Sequence, residues 1–270
     1  MTVTLAALYI YPVKSCAEVR LDAARAEPRG LAGDRRWALV GPDGRLLTQR
    51  ELPRMRLIEP VWDGTLRGLR APGLPDLPLP AEATGPRVPA TLWGEAIGGL
   101  RVSPEAEAWL EAFLDAPCDL VALPADASRW QEGKPFRAPL GYADGNPYHL
   151  ISTTSLDTLG DASRSPLDFR PNLVVEGALP FAEDGWRRVQ VGPVGFQVVE
   201  SCARCSVVNV DPGGRMTAEP LRTLARHRRR GHAILFGQHL ILEGTPGLTL
   251  TVGDSVTVLD WSPEPNPSYG

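Results

Sequence analysis

Glycine and proline occur 27 times each in this chain of 270 residues, and they fall at short intervals between brief apolar runs. Proline has no amide hydrogen to give a helix, and glycine loses more backbone freedom on ordering than any other residue. A chain punctuated this way is directed toward short strands and turns. Runs at 3–10, 36–40, 46–48, 57–61, 172–175, 188–191, 196–199, 205–210, 240–242 and 255–259 read as strands. Between the second and third, Gly41-Pro42-Asp43-Gly44-Arg45 carries the proline and the Asp-Gly pair of a hairpin turn.

Helical signals are fewer. Residues 104–114 follow Ser103, an N-cap residue, with Pro104 in the first turn. Shorter candidates are 154–159, capped by Ser152 or Thr153, and 219–229, where Leu221 and Leu224 give one apolar side. The stretch 71–89 is rich in proline, glycine and alanine and reads as a surface excursion. Residues 124–139 read as irregular and place a domain boundary nearby, and 262–268 reads as a frayed tail. There is no internal repeat.

With 43% hydrophobic residues the chain has ample material for a core. Its 28 basic and 32 acidic residues leave a net charge of -4, which lacks the positive excess of a general nucleic-acid binder. Four cysteines, Cys16, Cys118, Cys202 and Cys205, are too few and too scattered for a secreted disulfide scaffold. The N-terminus lacks the basic start and cleavage pattern of a signal peptide, and no run approaches the roughly 20 apolar residues of a membrane span. The expectation is a cytoplasmic protein with neither nucleic acid nor membrane as partner.

The residues that could carry chemistry centre on Ser201-Cys202-Ala203-Arg204-Cys205, followed by Ser206-Val207-Val208-Asn209-Val210-Asp211-Pro212. Thiolates are soft ligands and strong nucleophiles. A structural zinc would need two further ligands with paired spacing, and a thioredoxin-type pair would need a helix beginning at the first cysteine. In a strand, positions three apart face opposite sides, so one thiol would meet a ligand while the other packs. Both could equally be ordinary buried cysteines.

Cationic positions recur near strand ends. Lys14 and Ser15 follow the first strand and suit a phosphate. Arg35 and Arg36 are adjacent and should face opposite sides. Arg170 and Asn172 flank Pro171, and an extended backbone would place both on one face. Asp144-Gly145-Asn146-Pro147 reads as a turn that could offer amides to an anion. There is no phosphate loop, no dinucleotide fingerprint and no nucleophile elbow, and His149, His227, His232 and His239 are isolated in sequence.

Taken in order, Tyr11-Pro12-Val13-Lys14-Ser15, Gly33-Asp34-Arg35-Arg36-Trp37, Phe169-Arg170-Pro171-Asn172, the segment 202–212 with its Val-Asp-Pro ending, Leu235-Phe236-Gly237-Gln238 and Val252-Gly253-Asp254 resemble the MOSC family. The resemblance spans nearly the whole chain, and within the family the two-domain layout looks like the branch that reduces N-hydroxylated bases and amidoximes. It implies an α+β, mainly β fold: a smaller β-rich N-terminal domain over 1–120, a β-barrel MOSC domain over 121–262 with a few peripheral helices, and a disordered tail at 263–270. It implies a molybdenum cofactor (Mo-molybdopterin) with Cys205 as the metal-ligating thiol and Cys202 a neighbour without an assigned role. Lys14, Ser15, Arg35, Arg170, Asn172 and Arg204 would contact the pterin or its phosphate, and Asp144 would stand by the metal and assist proton delivery. Gly145 and Asn146 stand where that branch carries small hydroxyl residues. The implied reaction is two-electron reduction of an N–OH, amidoxime or N-oxide compound with water as product. The chain has no cysteine beyond Cys205 to hold an iron–sulfur cluster, so electrons would come from a separate flavin or iron–sulfur donor. The alternatives are sulfur transfer through a Cys205 persulfide, which would need a desulfurase partner, and non-enzymatic cofactor binding.

Overall fold

The structure is a computed structural model that describes residues 2–131, 134–160 and 165–269. Seven strands close into a barrel, in the ring order Tyr148–Ser152, Leu173–Glu176, Val3–Ile10, Ser255–Trp261, Trp186–Val191, Val194–Ala203 and Ala233–Glu243, which returns to Tyr148–Ser152. Tyr148–Ser152 and Leu173–Glu176 run parallel, and the other neighbours are antiparallel. Closure leaves none of the seven with an open edge.

The interior follows from alternation along the strands. Leu5, Leu8, Leu150, Val175, Val189, Phe196 and Leu240 are fully buried, and Tyr148 meets Phe196 edge to face at 5.0 Å. The first strand of the chain is an integral stave, bonded on one side to Leu173–Glu176 and on the other to Ser255–Trp261.

A second unit carries a four-stranded antiparallel sheet in the order Trp37–Val40, Asp119–Ala122, Gly99–Arg101, Arg87–Val88. Helix Pro104–Leu114 links two of these strands and has the bounds expected from sequence. Ser103 Oγ accepts from Ala106 N at 3.2 Å, and Asp115 closes the helix in the left-handed region. Its buried residues, Ala106, Trp109, Leu110, Phe113 and Leu114, fall on one face at the i, i+3, i+4 spacing. They pack with Leu39, Met55, Leu69 and Leu120 in a separate core. Trp62 packs against both cores. Gly33, at φ +84°, is required beside it because a Cβ there would collide with the indole.

The other two α-helices among the described residues are Thr153–Asp157 and Leu221–His227, each shorter than expected. Ser152 makes no side-chain cap; its hydroxyl bonds that of Thr154 instead. Among the described residues, no helix is long and apolar enough to cross a membrane.

Three readings are corrected. Residues 46–48 form no strand; Leu46 makes a single bridge to Val40. Residues 205–210 form a 3-10 turn, Ser206–Asn209, because the chain leaves the sheet at Ala203 and buries Val208 by turning inward. The segment expected to fray is docked: Asn266 is 1% exposed, with Nδ2 donating to Trp186 O at 2.9 Å and Gln238 Oε1 at 3.0 Å, while Ser201 N donates to Pro267 O at 2.7 Å. Prolines at 263, 265 and 267 restrict this segment before it docks, which lowers the entropy lost on docking.

Candidate functional site

A cavity of about 540 Å³ draws its lining from both units. Lys14 and Ser15 enter after the first strand and Arg35 from the turn before Trp37–Val40. Asp144, Gly145 and Asn146 precede Tyr148–Ser152, Arg170 and Asn172 precede Leu173–Glu176, and Arg204 and Cys205 follow Val194–Ala203. Every residue to which the resemblance assigned a site role therefore lines one space.

Six non-glycine residues among those described have positive φ, and four of them, Ser15, Arg35, Trp93 and Arg170, line this cavity. Backbone strain gathered at one place marks a surface shaped for contact. Arg170, at φ +53°, is not extended, so the same-face argument for Arg170 and Asn172 fails although both reach the cavity. Asn172 is bound within the protein: Nδ2 donates to Tyr9 O at 3.1 Å, and Oδ1 accepts from His149 N at 3.2 Å and Arg35 Nη1 at 3.3 Å. It orients Arg35.

Arg170 lies 4.1 Å above the centre of the Tyr11 ring and donates through Nη1 to Cys16 O, leaving Nη2 buried without a partner. Burial pulls its pKa down to about 10, so it still carries charge at neutral pH. Arg36 turns away to Glu27, as expected of adjacent residues.

Lys14 Nζ donates to Tyr142 O at 3.0 Å and to Asp144 Oδ1 at 2.8 Å. The lysine is buried and the carboxylate half-exposed. Burial opposes ionisation of Asp144, but Lys14, Arg50 and Arg35 outweigh it and hold the carboxyl below its usual range.

The two thiols share the cavity, contrary to the opposite-face expectation, because the chain has left the strand before Cys205. Cys205 is exposed, and Arg50 Nη1 approaches its sulfur at 3.7 Å. Cys202 is buried, and Arg204 Nη1 donates to its sulfur at 2.8 Å. Burial alone would raise the Cys202 pKa, yet Arg204 and His239 draw it down to about 7.

His239 Nδ1 lies 3.1 Å from Glu200 Oε1, which also accepts from Lys134 at 2.6 Å and Asn146 Nδ2 at 2.5 Å. Burial disfavours the imidazolium, but Cys202 and Glu200 raise the His239 pKa to about 9. Glu200 is held down to about 2, where burial is outweighed by His239 and Lys134. His149, opposite His239 in strand register, is pushed the other way by burial and by Arg204 and stays neutral, so its Nε2 accepts from Arg204 at 3.3 Å. Gly237, at φ +78°, leaves room for that ring; a Cβ would collide with Nε2.

Arg50, Trp93, Lys134, His149, Glu200 and His239 were not identified from sequence. Alternation could have found Glu200, two residues before Cys202 in the same strand. The two histidines meet only through pairing of strands far apart in the chain.

The family profile for the MOSC N-terminal beta barrel domain matches residues 2–117, and that for the MOSC domain matches residues 138–257. Mitochondrial amidoxime-reducing component 1 of Homo sapiens is 34% identical over 281 residues, covering 95% of this chain and 83% of that protein. The chain belongs to the MOSC family. The Mus musculus form of the same component is 32% identical to this MOSC chain over 95% of its length and 82% of the relative's. Molybdenum cofactor sulfurase of Danio rerio is 29% identical across 94% of the MOSC chain, which spans only 34% of that longer protein.

Proposed function

We propose that the cavity binds a molybdenum–pterin cofactor through Cys205, and that the protein reduces N-hydroxylated compounds with electrons from a separate flavin or iron–sulfur protein. The observation that carries this reading is Cys205, the one exposed thiol of four, at a cavity walled by Lys14, Arg35, Arg50, Arg170 and Arg204. The similarity to amidoxime-reducing components supports the substrate class.

The residues fit such a group. Among the described residues no three His, Cys, Asp or Glu groups cluster as a protein-only metal site, so the exposed thiol would supply one bond to a metal whose other ligands come with the cofactor. Three buried polar atoms of cavity residues have no partner: Asn146 Oδ1, Arg170 Nη2 and Arg204 Nε. Buried polar groups left open are costly unless a ligand completes them, and two of these are cationic donors suited to a phosphate or an electron-rich ring.

When bound, the cofactor supplies the two-electron chemistry. The protein holds and orients it: Arg170 and Arg204 offer their open N–H groups, and Lys14 and Arg35, fixed by Asp144, Asp34 and Asn172, add charge without free rotation. Asp144 rests as a half-exposed carboxylate and would assist proton delivery by taking a proton from solvent and passing it on. The proton donor at the cavity is His239, kept charged by Glu200 and facing Cys202.

The test is metal and pterin content of anaerobically purified protein, with turnover of benzamidoxime driven by a chemical reductant. Both are retained in Cys202→Ala and lost in Cys205→Ala. Equal metal content in the two variants sinks the reading.

One observation favours a second reading. Cys202, with a pKa drawn to about 7, is a nucleophile in the same space, and the sulfurase relatives make sulfur transfer the alternative. Cyanide-labile sulfur on metal-free protein would select it, and the variants above would say which thiol carries it.

A further inference from the structure

Trp93 is a bulky residue in a conformation that bulky residues avoid. Thr91–Leu92 and Glu95–Ala96 pair as a hairpin whose two turn residues, Trp93 and Gly94, have φ of +54° and +83°. Two consecutive positive φ values are the type I′ arrangement, which favours asparagine or glycine at its first position because a Cβ is crowded there. Burial offers no compensation, since the residue is 64% exposed. Strain without packing gain points to a ring kept for contact with something other than the fold.

What the ring contacts now indicates its chemistry. Its Nε1 donates to Asp144 Oδ1 at 3.2 Å, which fixes one edge against the cavity wall. The guanidinium carbon of Arg50 lies 4.9 Å from the ring centre, and Nη1 of the same group is 3.7 Å from Cys205 Sγ. Among the described residues, the Arg50 side chain contacts this ring and this sulfur. A flat, delocalised group of one carbon and three nitrogens is thus held on an indole face beside the exposed thiol, and the charge of Asp144 acts on it through space.

We propose that Trp93 is the specificity wall of the site: a flat N-hydroxylated group of the amidoxime, N-hydroxyguanidine or heteroaromatic hydroxylamine class stacks on it and takes the place of the Arg50 guanidinium. These groups share the planarity and π-delocalisation by which the ring holds Arg50. A tetrahedral N-oxide has no flat face to offer and gains nothing from the indole. The proposal rests on the reductase reading and adds shape selection to it.

Trp93→Gly suits the test because glycine relieves the strained turn, so the variant folds with an unchanged or raised melting temperature. In metal-free full-length protein, benzamidoxime saturably quenches tryptophan emission, and that quench disappears in Trp93→Gly. In cofactor-loaded protein the variant raises KM for benzamidoxime roughly tenfold, as expected for loss of one stacking partner. Its KM for trimethylamine N-oxide shifts far less than that for benzamidoxime, and the ratio of the two is the readout, because the ring also bonds Asp144. Trp93→Phe keeps most of the affinity for benzamidoxime. A quench that survives in Trp93→Gly, no saturable quench in the parent, or an equal KM shift for both compounds overturns the proposal. Loaded protein that turns over neither compound sinks the reductase reading, while the quench still decides the wall.

Discussion

Glu200 and His239 stand on neighbouring strands of the barrel, paired in register, with carboxylate oxygen and ring nitrogen 3.1 Å apart. The pair makes the stability of the fold depend on alkaline pH. The folded-state pKa of His239, about 9, lies above the ordinary histidine value near 6.5, so its stabilising contribution is complete below about 6.5 and is lost as pH rises toward 9. Cys202, with its pKa drawn down to about 7, contributes with the opposite sign over much of this window. The expected result is therefore a melting temperature that falls in the parent relative to His239→Gln between those limits. The difference corresponds to a contribution on the order of 3 kcal/mol. Parallel curves for the two proteins would remove His239 as the cause.

Cys202 should react as a thiolate near neutrality. Its alkylation rate in metal-free protein, followed in Cys205→Ser, where the other two thiols, Cys16 and Cys118, are buried with pKa values pushed up to about 12, rises through pH 7 and levels above it. Replacing Arg204 with leucine removes the donor 2.8 Å from the sulfur and moves that midpoint upward by about one unit or more. A midpoint near the free-cysteine value in the parent would contradict the geometry.

Asp144→Asn removes the anion from a buried ammonium group. Lys14 keeps its bond to Tyr142 O, and Asp144 is half-exposed, so the loss is smaller than for a fully buried pair, about 1–2 kcal/mol in urea unfolding. Asp144→Asn with Lys14→Met should recover part of it, because the double variant leaves no charge unpaired.

Gly237→Ala combines a left-handed backbone with a Cβ that meets the His149 ring. A loss of about 3 kcal/mol in the denaturant midpoint is expected, with crowding and conformation both contributing. Gly145→Ala, where a Cβ meets nothing within 4 Å, serves as the control that leaves stability near the parent value.

Local signals in the sequence were enough for some elements and not for others. The helix Pro104–Leu114 announces itself through Ser103 and Pro104, both of which act within one turn. Strand 205–210 was misread because Val-Val flanked by polar residues suits a half-buried strand as well as a four-residue turn that buries Val208. The cationic positions of the site were legible because each sits beside a strand end with a recognisable motif. Arg50, Trp93 and the Glu200–His239 pair were not, since their meeting depends on which distant strands and hairpins become neighbours. Closure of the barrel by residues 3–10 and 255–261 is of the same kind: neither run states its partner.

Because the first stave comes from the opposite end of the chain to its neighbour, the molecule cannot be cut into two working pieces at the irregular stretch between its units. A fragment spanning only the second profile match would be an opened cylinder with bare edges inviting self-association. During synthesis, too, the ring can be completed only after almost the whole polypeptide has left the ribosome.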